Sequence, residues 1–414
     1  MSDIVDQAGE NAPQQRSFVG LVAMTAGLMA ITALAIDSML PALPHIASDL
    51  GIHDANQQQW VVSSFLFGFG ALQIVAGPLA DRFGRKPILL GGLAVYALAA
   101  VSIAFTRSFE MMMVLRVVQG MGSAMPRVLA VSIVRDSYSG REMSRVMSLA
   151  FTVFLAVPIL APSIGQFVML FGPWPWIFLG LGFAAVSLAL WVALSLPETL
   201  RPEDRSPLSV SAIATNFKLC LSHRAAIGFT FAAAAMQGGL LAFINSAQQI
   251  FVDVYKVPQY FAGLFALVAA SMAVASMVNS RLVGRIGTRR IAARAMWGYL
   301  IFGVLHVMAA ALGFETLLVF TILQSGATFC FGILAPNYGA MAMEPLGRIA
   351  GTASAVQGFI STLIGTSLGL LIGLQFNGTT LPFTIGVLLC GCMAAFFASY
   401  ASKGLPMVSQ AYRR

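Results

Sequence analysis

Residues 77–87 read GPLADRFGRKP and place four charges, Asp81, Arg82, Arg85 and Lys86, between two long apolar runs. Only 10% of the 414-residue chain is charged, whereas 58% of it is hydrophobic. The mean hydropathy is +0.83. A soluble domain cannot bury that much apolar surface, whereas a bilayer dissolves it. The stretch therefore predicts a short polar turn between two membrane-spanning helices.

Twelve apolar stretches follow one another along the chain. Each is long enough to cross a hydrocarbon core of about 30 Å as a helix. The predicted fold is all-α and integral to the membrane, with twelve transmembrane helices in two six-helix bundles. The predicted spans are residues 18–40, 58–79, 88–106, 110–134, 146–170, 174–196, 225–249, 260–280, 291–312, 316–340, 350–374 and 381–401.

The longest polar stretch separates six spans from six. The resulting division is an N-terminal tail over 1–17, a first bundle over 18–196, a linker over 197–224, a second bundle over 225–401 and a C-terminal tail over 402–414. The bundles repeat each other weakly, because GxLxxRxGxK at 77–86 returns as SxLxxRxGxR at 280–289. Parallel repeats of this kind occur in transporters that bind substrate at mid-membrane between two related bundles.

The distribution of positive charge predicts the orientation. With the N-terminus inside, only Arg107 and Lys256 of the 24 Lys and Arg residues fall in outer loops, and Arg116 and Arg127 lie inside a span. By the positive-inside rule, both termini and the linker are cytoplasmic. The basic charge thus reports orientation, and we expect no nucleic-acid partner. The cytoplasmic residues are Arg16, Arg82, Arg85, Lys86, Arg135, Arg141, Arg145, Arg201, Arg205, Lys218, Arg224, Arg281, Arg285, Arg289, Arg290, Arg294, Arg348, Lys403, Arg413 and Arg414.

The chain shows no pattern typical of an enzyme or a metal site. The four cysteines have no metal-ligand spacing, and the spans contain no paired-His or Ser/Lys constellation. We therefore expect no catalytic residue, metal or cofactor, and we interpret the cysteines as buried free thiols. The histidines are scattered and are His45, His53, His223 and His306.

Several motifs resemble those of one transporter family. GPLADRFGRKP after the second span, with RxxQGxG at 116–122 in the fourth, resembles the major facilitator superfamily over essentially the whole chain. DSMLPALP at 37–44, IVRD at 133–136 and APxxG at 161–165 resemble its Bcr/CflA branch of drug:proton antiporters. The resemblance implies a multidrug efflux transporter of the bacterial inner membrane, driven by a proton gradient. Its partners would be a drug-like small molecule, protons and lipid, and we expect a monomer.

Two ionisable residues lie inside predicted spans at similar depth. Asp37 is three residues from the end of the first span, and Arg116 is six residues into the fourth, which runs the opposite way. Their depths agree to about one turn, so the pair can meet. Ionisable groups inside a membrane are costly and mark functional sites. We interpret Asp37 and Arg116 as the proton-coupling pair; the alternative is a structural ion pair among closely packed small residues.

An aspartate can carry a proton at neutral pH when an apolar cavity makes its charged form costly. Asp37 would accept a proton when the cavity faces outward and release it, as substrate binds, when the cavity faces inward. The corresponding positions of the second half carry no charge, so we expect the ionisable chemistry to lie in the first half.

The fourth span carries a stripe that predicts a cavity wall. At 100° per residue, Arg116, Gly120, Ser123 and Arg127 fall within about 40° of one line. Arg127 has two interpretations. In the first it attracts anionic or neutral polar drugs and repels cations. In the second it only reaches toward the membrane surface or a backbone carbonyl near the Pro126 kink.

The other candidates for the substrate cavity are polar or aromatic side chains. Gln237, Asn245 and Gln248 form a stripe on the seventh span that lines either a cavity or a helix contact. We expect Pro158 and Pro162, with Gly165, to bend the fifth span. The full predicted cavity set is Gln119, Gly120, Ser123, Arg127, Phe65, Phe69, Gln237, Asn245, Gln248, Asn337 and Gln357.

The opening stretch is also a candidate gate. Gly77 would permit close packing and Gly84 a chain reversal, while the cations anchor the loop at the anionic inner leaflet. The positive-inside rule accounts for the cations of this loop but not for Asp81. The resemblance implies that this acid pairs with nearby cations and releases them when the inner gate opens; the alternative is a plain turn. The expected partners are Arg135, Arg141 and Arg145, and the predicted gating set is Gly77, Asp81, Arg82, Gly84, Arg85, Lys86, Arg135 and Arg141.

The function predicted from these features is proton-coupled export of drugs or other small amphipathic compounds by alternating access. A transporter of the same fold that exports one metabolite, or imports a solute by proton symport, is the alternative. The sequence specifies neither the direction nor the substrate.

Overall fold

The computed structural model describes residues 18–52, 54–205 and 210–402, and within these ranges every regular element is helical. The predicted tails, apart from Ser402, lie outside the described residues, as do residues 206–209 of the predicted linker. The α-helices are α1 (Phe18–Asp37), α2 (Leu43–Asp49), α3 (Gln59–Phe83), α4 (Arg85–Phe105), α5 (Phe109–Ser137), α6 (Gly140–Phe171), α7 (Pro175–Ser195), α8 (Val210–Ser222), α9 (Arg224–Gln248), α10 (Phe261–Ile286), α11 (Thr288–Ala311), α12 (Leu317–Met343), α13 (Ala350–Gly373) and α14 (Leu381–Ala401).

Twelve helical segments of the described chain are long and apolar enough to cross a membrane. The prediction of an all-α, twelve-span membrane protein is therefore confirmed. Helix α2 continues the first span, and α8 lies within the stretch predicted as a linker. We refer to α1–α7 as the first half and to α9–α14 as the second half; the predicted domain boundaries themselves stay a prediction.

The first span is longer than its apolar run suggested. It extends over Phe18–Asp49, because a 3-10 turn at Leu40–Ala42 joins α1 to α2. Pro41 and Pro44 stand in the first turns of these helical pieces. There the missing N–H of proline has no intrahelical partner to lose. Asp37 is thus twelve residues from the end of the span, which places it deeper in the protein than the predicted three residues.

The opening stretch and its second-half counterpart form the same backbone turn. Gly84, between α3 and α4, has φ 102°, and Gly287, between α10 and α11, has φ 88°. Glycine adopts such positive φ values without the steric cost that a Cβ imposes. The weak sequence repeat therefore corresponds to a repeated structural turn. We call the end of the molecule that carries these two turns the basic face, and the other end the opposite face.

Helices α3 and α5 cross at two glycines. A Cβ on Gly120 would lie 1.9 Å from the carbonyl oxygen of Phe65, and a Cβ on Gly68 would lie 2.0 Å from that of Val117. Small residues permit this close approach of helix backbones in a membrane, where dispersion contacts replace the hydrophobic effect. The structure therefore places Gly120 in a helix contact and not in the predicted cavity wall.

The close crossing of α3 and α5 predicts that a larger side chain at Gly120 destabilises the protein. Gly120→Val must push α3 and α5 apart, so we expect a loss of about 1–3 kcal/mol, typical of overpacking, or more. The measurement is the thermal unfolding midpoint of the detergent-solubilised protein. Gly91→Val is the matched control, because a Cβ on exposed Gly91 meets nothing within 4 Å. Equal midpoints for the two variants would contradict the close crossing.

Candidate functional site

Arg116 is fully buried in the first half and is held by neutral groups. Its Nε donates to the carbonyl oxygen of Val61 at 2.9 Å, and its Nη1 donates to Oε1 of Gln119 at 2.8 Å. Its guanidinium lies 4.6 Å from the ring centroid of Phe65 and 5.8 Å from that of Phe178. A carbonyl, an amide and two ring faces thus take the place of an acidic partner. The remaining nitrogen, Nη2, is buried without a hydrogen-bond partner among the described residues.

Asp37 lies near the level of Arg116 but forms no ion pair with it. Counted at 1.5 Å per residue from the basic face, Asp37 is about 28 Å along α1 and Arg116 about 31 Å along α5. Yet within the described chain no Lys, Arg or His nitrogen lies within 4.0 Å of the Asp37 carboxylate. The expected meeting of the two side chains does not occur here, because Val61 and Gln119 engage the guanidinium.

The carboxylate of Asp37 is buried and incompletely hydrogen-bonded. The residue is 3% exposed, and its Oδ1 has no partner among the described residues. A buried charged carboxylate without a partner is strongly disfavoured, whereas a protonated one is tolerated. The geometry therefore favours a neutral, protonated Asp37 in this structure.

The APxxG motif of the fifth span packs against the residue that follows Asp37. A Cβ on Gly165 of α6 would lie 1.7 Å from the carbonyl oxygen of Ser38, so only glycine allows this contact. Pro158 and Pro162 lie inside α6, where each removes one hydrogen bond from the helix. The bend expected at the two prolines stays a prediction.

The rest of the fourth-span stripe faces α1 and α6. Ser123 is buried, and its Oγ lies 3.4 Å from Oγ1 of Thr32 on α1. Arg127 is half-buried, with its guanidinium 5.0 Å from the ring centroid of Phe154 and 5.8 Å from that of Phe151, both on α6. The two arginines of α5 thus have different surroundings although they share one line of the helix.

The polar stripe of the seventh span joins the two halves at the opposite face. Gln58 donates from Nε2 to Oε1 of Gln248 at 3.2 Å, and Asn245 donates from Nδ2 to Oγ of Ser63 at 3.3 Å. All four side chains are buried. Of the two readings open from the sequence, the structure supports the helix contact for Asn245 and Gln248 and not the cavity wall.

A second layer of amides continues this contact. Gln59 donates to Oε1 of Gln249 at 2.8 Å and to the carbonyl oxygen of Gly373 at 2.6 Å. Gln249 donates in turn to Oδ1 of Asn56 at 3.0 Å, and Asn56 donates to the carbonyl oxygen of Leu374 at 3.1 Å. Gln249 is the first residue of a π-helical turn, Gln249–Val254, that continues the seventh span. We call these side chains the amide layer; it closes the opposite face with neutral hydrogen bonds.

The basic face is organised by an ionic cluster within the first half. Arg85 is 3% exposed, its Nη1 lies 2.6 Å from Oδ1 of Asp81, and its Nε lies 3.1 Å from Oδ2 of Asp136. The left-handed Gly84 turns the chain so that position 85 lies beside the last turn of α3.

Asp81 therefore pairs with Arg85 of its own turn and not with the expected Arg135, Arg141 or Arg145. Of these three, Arg135 lies 3.9 Å from Asp136, Arg141 is exposed and Arg145 lies over Phe18.

One further expectation for this loop turns out differently. A Cβ on Gly77 would meet nothing within 4 Å, so the predicted close packing at Gly77 is wrong. Lys86 donates from Nζ to the carbonyl oxygen of Ala193 at 2.8 Å, which ties the turn to the end of α7. The exposed Arg82 makes no ion pair among the described residues.

Glu198 caps α4, and the sequence analysis missed it. Its carboxylate accepts the backbone N–H groups of Arg85 at 2.9 Å and Lys86 at 3.2 Å, which open α4, as well as those of Thr199 and Leu200. Partial burial by itself raises the pKa of Glu198, but these backbone hydrogen bonds outweigh it and hold the pKa below its ordinary value. The acid directly after Pro197, where the sixth span ends, was the available signal.

A buried acid–base pair in the second half was also missed. Nε2 of His306 on α11 lies 2.7 Å from Oε1 of Glu315, and the two side chains are 2% and 5% exposed. Glu315 also accepts a hydrogen bond from Thr380, just before α14. Buried ionisable side chains therefore occur in both halves, and the expectation that the first half holds the ionisable chemistry stays a prediction. His306 near the end of one span and Glu315 before the next formed the signal, since the loop between them is short.

The other second-half candidates are dispersed. Asn337 donates from Nδ2 to Oδ1 of Asn279 at 2.7 Å and to the carbonyl oxygen of Ile333 at 2.7 Å, so it serves a contact between α12 and α10. Gln237 packs at Gly365, and Gln357 is half-buried on α13. Within the described residues, no hydrogen bond or ion pair links these three side chains to Asp37 or Arg116. In the first half, the ring of Phe65 contacts the Arg116 guanidinium, and Phe69 is buried on the same helix, α3.

Comparison with known proteins agrees with this architecture. A model described as the Major Facilitator Superfamily matches residues 25–370. The chain belongs to the Major Facilitator Superfamily. It is 32% identical to the bicyclomycin resistance protein homolog of Haemophilus influenzae, over 93% of this chain and 96% of that protein. It is 30% identical to the chloramphenicol resistance protein of Pseudomonas aeruginosa, over 91% of this chain and 90% of that protein.

The fold of this facilitator is shared with a solved sugar transporter. The partially occluded, inward-open structure of the xylose transporter XylE from E. coli matches with a TM-score of 0.69, over 94% of this chain and 97% of XylE. The sequences are 15% identical, so this likeness shows the fold alone.

The amide layer predicts how the facilitator responds to a single methyl group. A Cβ on Gly373 would collide with Oε1 of Gln59, at 1.4 Å, so Gly373→Ala must displace the Gln59 amide. Losing about one hydrogen bond, near 1 kcal/mol, shifts the closed-to-open ratio of the opposite face roughly fivefold. The measurement is labelling of Ser63→Cys, in a background without other cysteines, by an impermeant maleimide.

Gly263→Ala is the control for this experiment, because a Cβ on Gly263 meets nothing within 4 Å. We expect faster labelling with Gly373→Ala and an unchanged rate with the control. Unchanged labelling in both variants would show that the amide layer does not set the closure of this face.

The Glu198 cap predicts a pH-dependent stability. A carboxylate whose pKa is lowered by folding stabilises the protein above its unfolded pKa of about 4.3, and this stabilisation is lost as pH falls through the folded value. At pH 7 we expect Glu198→Gln to cost about 1 kcal/mol, as for loss of a helix N-terminal carboxylate. As the pH is lowered from 7 to 3, the thermal unfolding midpoints of Glu198→Gln and of the wild type should converge. Glu203→Gln, at a side chain 72% exposed, is the control; a pH-independent gap would refute the charge effect.

Proposed function

We propose that this facilitator exports drug-like small molecules across the bacterial inner membrane in exchange for protons, by alternating access. The names of the two relatives, a bicyclomycin resistance protein homolog and a chloramphenicol resistance protein, support a drug substrate and outward transport. In this proposal the chain works as a monomer, with membrane lipid as its solvent, without enzymatic activity and without a cofactor. The observation on which the proposal rests is the buried, unpaired carboxylate of Asp37.

Asp37 is proposed as the proton carrier. Its burial and its unpartnered Oδ1 favour the protonated form in the present arrangement. When water reaches the carboxylate, the charged form is solvated and the proton leaves. A change in the access of water to Asp37 therefore suffices to convert a conformational change into uptake or release of one proton.

Arg116 is proposed to set how tightly the proton is held. Its charge lies at a similar depth but is engaged by Val61 and Gln119, so it does not neutralise Asp37 in this arrangement. A shift of α1 relative to α5 that brings the pair together would stabilise the charged carboxylate, because an opposite charge nearby favours ionisation. Such a shift would expel the proton without any other acid.

The orientation follows from the positive-inside rule: the basic face is cytoplasmic, and so are both termini. In this proposal the amide layer closes the periplasmic side, and the arrangement opens toward the cytoplasm. The described hydrogen bonds between the halves reach inward as far as Gln73 and Thr362, whose side chains are 3.4 Å apart. Each neutral hydrogen bond contributes only about 0.5–1.5 kcal/mol net, so the layer can open and re-form in every cycle.

The proton gradient supplies enough energy for this cycle. Each elementary charge that moves inward through a membrane potential of 100 mV contributes about 2.3 kcal/mol. Exchange of one proton for a neutral drug moves one charge per cycle. That contribution corresponds to roughly a fiftyfold concentration ratio of the drug.

The proposal predicts that proton movement depends on Asp37. Inverted vesicles that contain wild-type protein should release protons from their interior when chloramphenicol is added, as measured with an internal pH dye. Asp37→Asn should abolish this release, because an amide carries no exchangeable charge in this range, and Asp37→Glu should retain part of it.

Glu142→Gln, at an exposed acid of α6, serves as the control and should leave the signal intact. Proton release that survives Asp37→Asn at full size would refute the role of Asp37. Wild-type vesicles that take up no drug against a gradient would refute drug export, and a solute gradient driven the other way would indicate symport.

A further inference from the structure

Arg127 is a cation inside the first half that the proton cycle does not use. It lies ten residues before the end of α5, about 15 Å from the basic face, and is half-buried. Its guanidinium lies over Phe154 and Phe151, at 5.0 and 5.8 Å from their ring centroids. Both rings belong to α6, so the cation lies between α5 and α6, and Phe151 is exposed.

The guanidinium of Arg127 has no acidic or hydrogen-bonding partner in the described chain. No carboxylate oxygen lies within 4.0 Å of it, and its N–H groups donate to no protein acceptor there. This contrasts with Arg116, which donates to Val61 and Gln119. Arginine carries five N–H donors and stays charged. Leaving them unpaired in hydrocarbon is costly, so this cation must meet water, a lipid headgroup or the polar group of a ligand.

The surroundings of Arg127 suit one kind of chemical group. A guanidinium forks two parallel hydrogen bonds to a carboxylate or a similar planar anion. The adjoining rings offer an apolar platform for the aromatic or apolar body that carries the anion. A lipophilic cation would instead meet an uncompensated like charge, which lowers its affinity.

We propose that Arg127, Phe151 and Phe154 form a subsite, reached from the basic face, that selects substrates carrying an anionic group on an apolar body. This inference rests on the proposed function, since it names the substrate class that the exporter prefers. Export of such an anion in exchange for protons moves more charge than export of a neutral drug, so a membrane potential drives it more strongly.

The experiment compares two probes that differ only in charge. Chloramphenicol is neutral, and its succinate monoester carries a carboxylate on the same aromatic body. Uptake of each probe is measured in inverted vesicles that contain wild type, Arg127→Gln or Arg127→Lys. We expect Arg127→Gln to lower the ratio of succinate to chloramphenicol uptake roughly tenfold, the effect of losing a hydrogen bond between charged groups. Arg127→Lys should restore part of the ratio, because it keeps the charge but loses the fork.

Arg285→Gln is the matched control, since Arg285 is an exposed cation in the last turn of α10 on the same face. Its ratio should equal that of the wild type. A third probe, tetraphenylphosphonium, should gain uptake relative to chloramphenicol when Arg127 becomes neutral.

Several results would overturn the subsite. Equal loss of both chloramphenicol probes in Arg127→Gln would assign Arg127 a structural role. A ratio that changes only in vesicles containing anionic lipid would assign it to lipid phosphate. Failure of the proposed function is distinguishable from both, because wild-type vesicles would then accumulate neither probe.

Discussion

The buried charge of Arg116 is the constraint around which the first half is built. A guanidinium in the membrane interior needs polar or aromatic partners, and here the carbonyl of Val61, the amide of Gln119 and two aromatic rings engage it, while its Nη2 has no hydrogen-bond partner among the described residues. These groups come from α3, α5 and α7, so one cation fixes the relative position of three helices. Because neutral groups engage the cation, the carboxylate of Asp37 is left without a counter-ion. The same packing that stabilises the half thereby creates the site at which protonation matters.

The two faces of the molecule use different chemistry. At the opposite face, neutral amides connect α3 to α9 and to the end of α13. At the basic face, Arg85 and its two acids lie within the first half, and Arg289 with Glu344 lies within the second. Charged hydrogen bonds are stronger than neutral ones. The buried Arg85 cluster therefore stiffens the first half, whereas weaker neutral contacts join the halves and can be exchanged as the halves rock.

Hydropathy was sufficient to predict twelve spans. An apolar segment that crosses a bilayer must satisfy its own backbone hydrogen bonds, and a helix does so. Hydropathy failed at Pro41 and Pro44, which looked like a helix end but lie in the first turns of new helical pieces. The partners of individual side chains were harder to predict from the sequence, since they depend on which helices pack together. Helical periodicity placed Gly120 on the same face of α5 as Arg116, but it could not show that α3 covers this glycine. His306 and Glu315 are near each other in the sequence, but only the packing of α11 and the loop before α12 shows that their side chains meet.

Helix α6 connects the two sites that the proposals assign to proton and substrate. Its Gly165 packs at the carbonyl next to Asp37, and its Phe151 and Phe154 lie against Arg127. Between these contacts stand Pro158 and Pro162, where the helix lacks two backbone hydrogen bonds. A helix weakened between two sites can change its angle at one without breaking its contact at the other. Occupancy of the Arg127 subsite by an anion would then alter the packing of α6 against Asp37, and coupling would need no direct contact between substrate and proton.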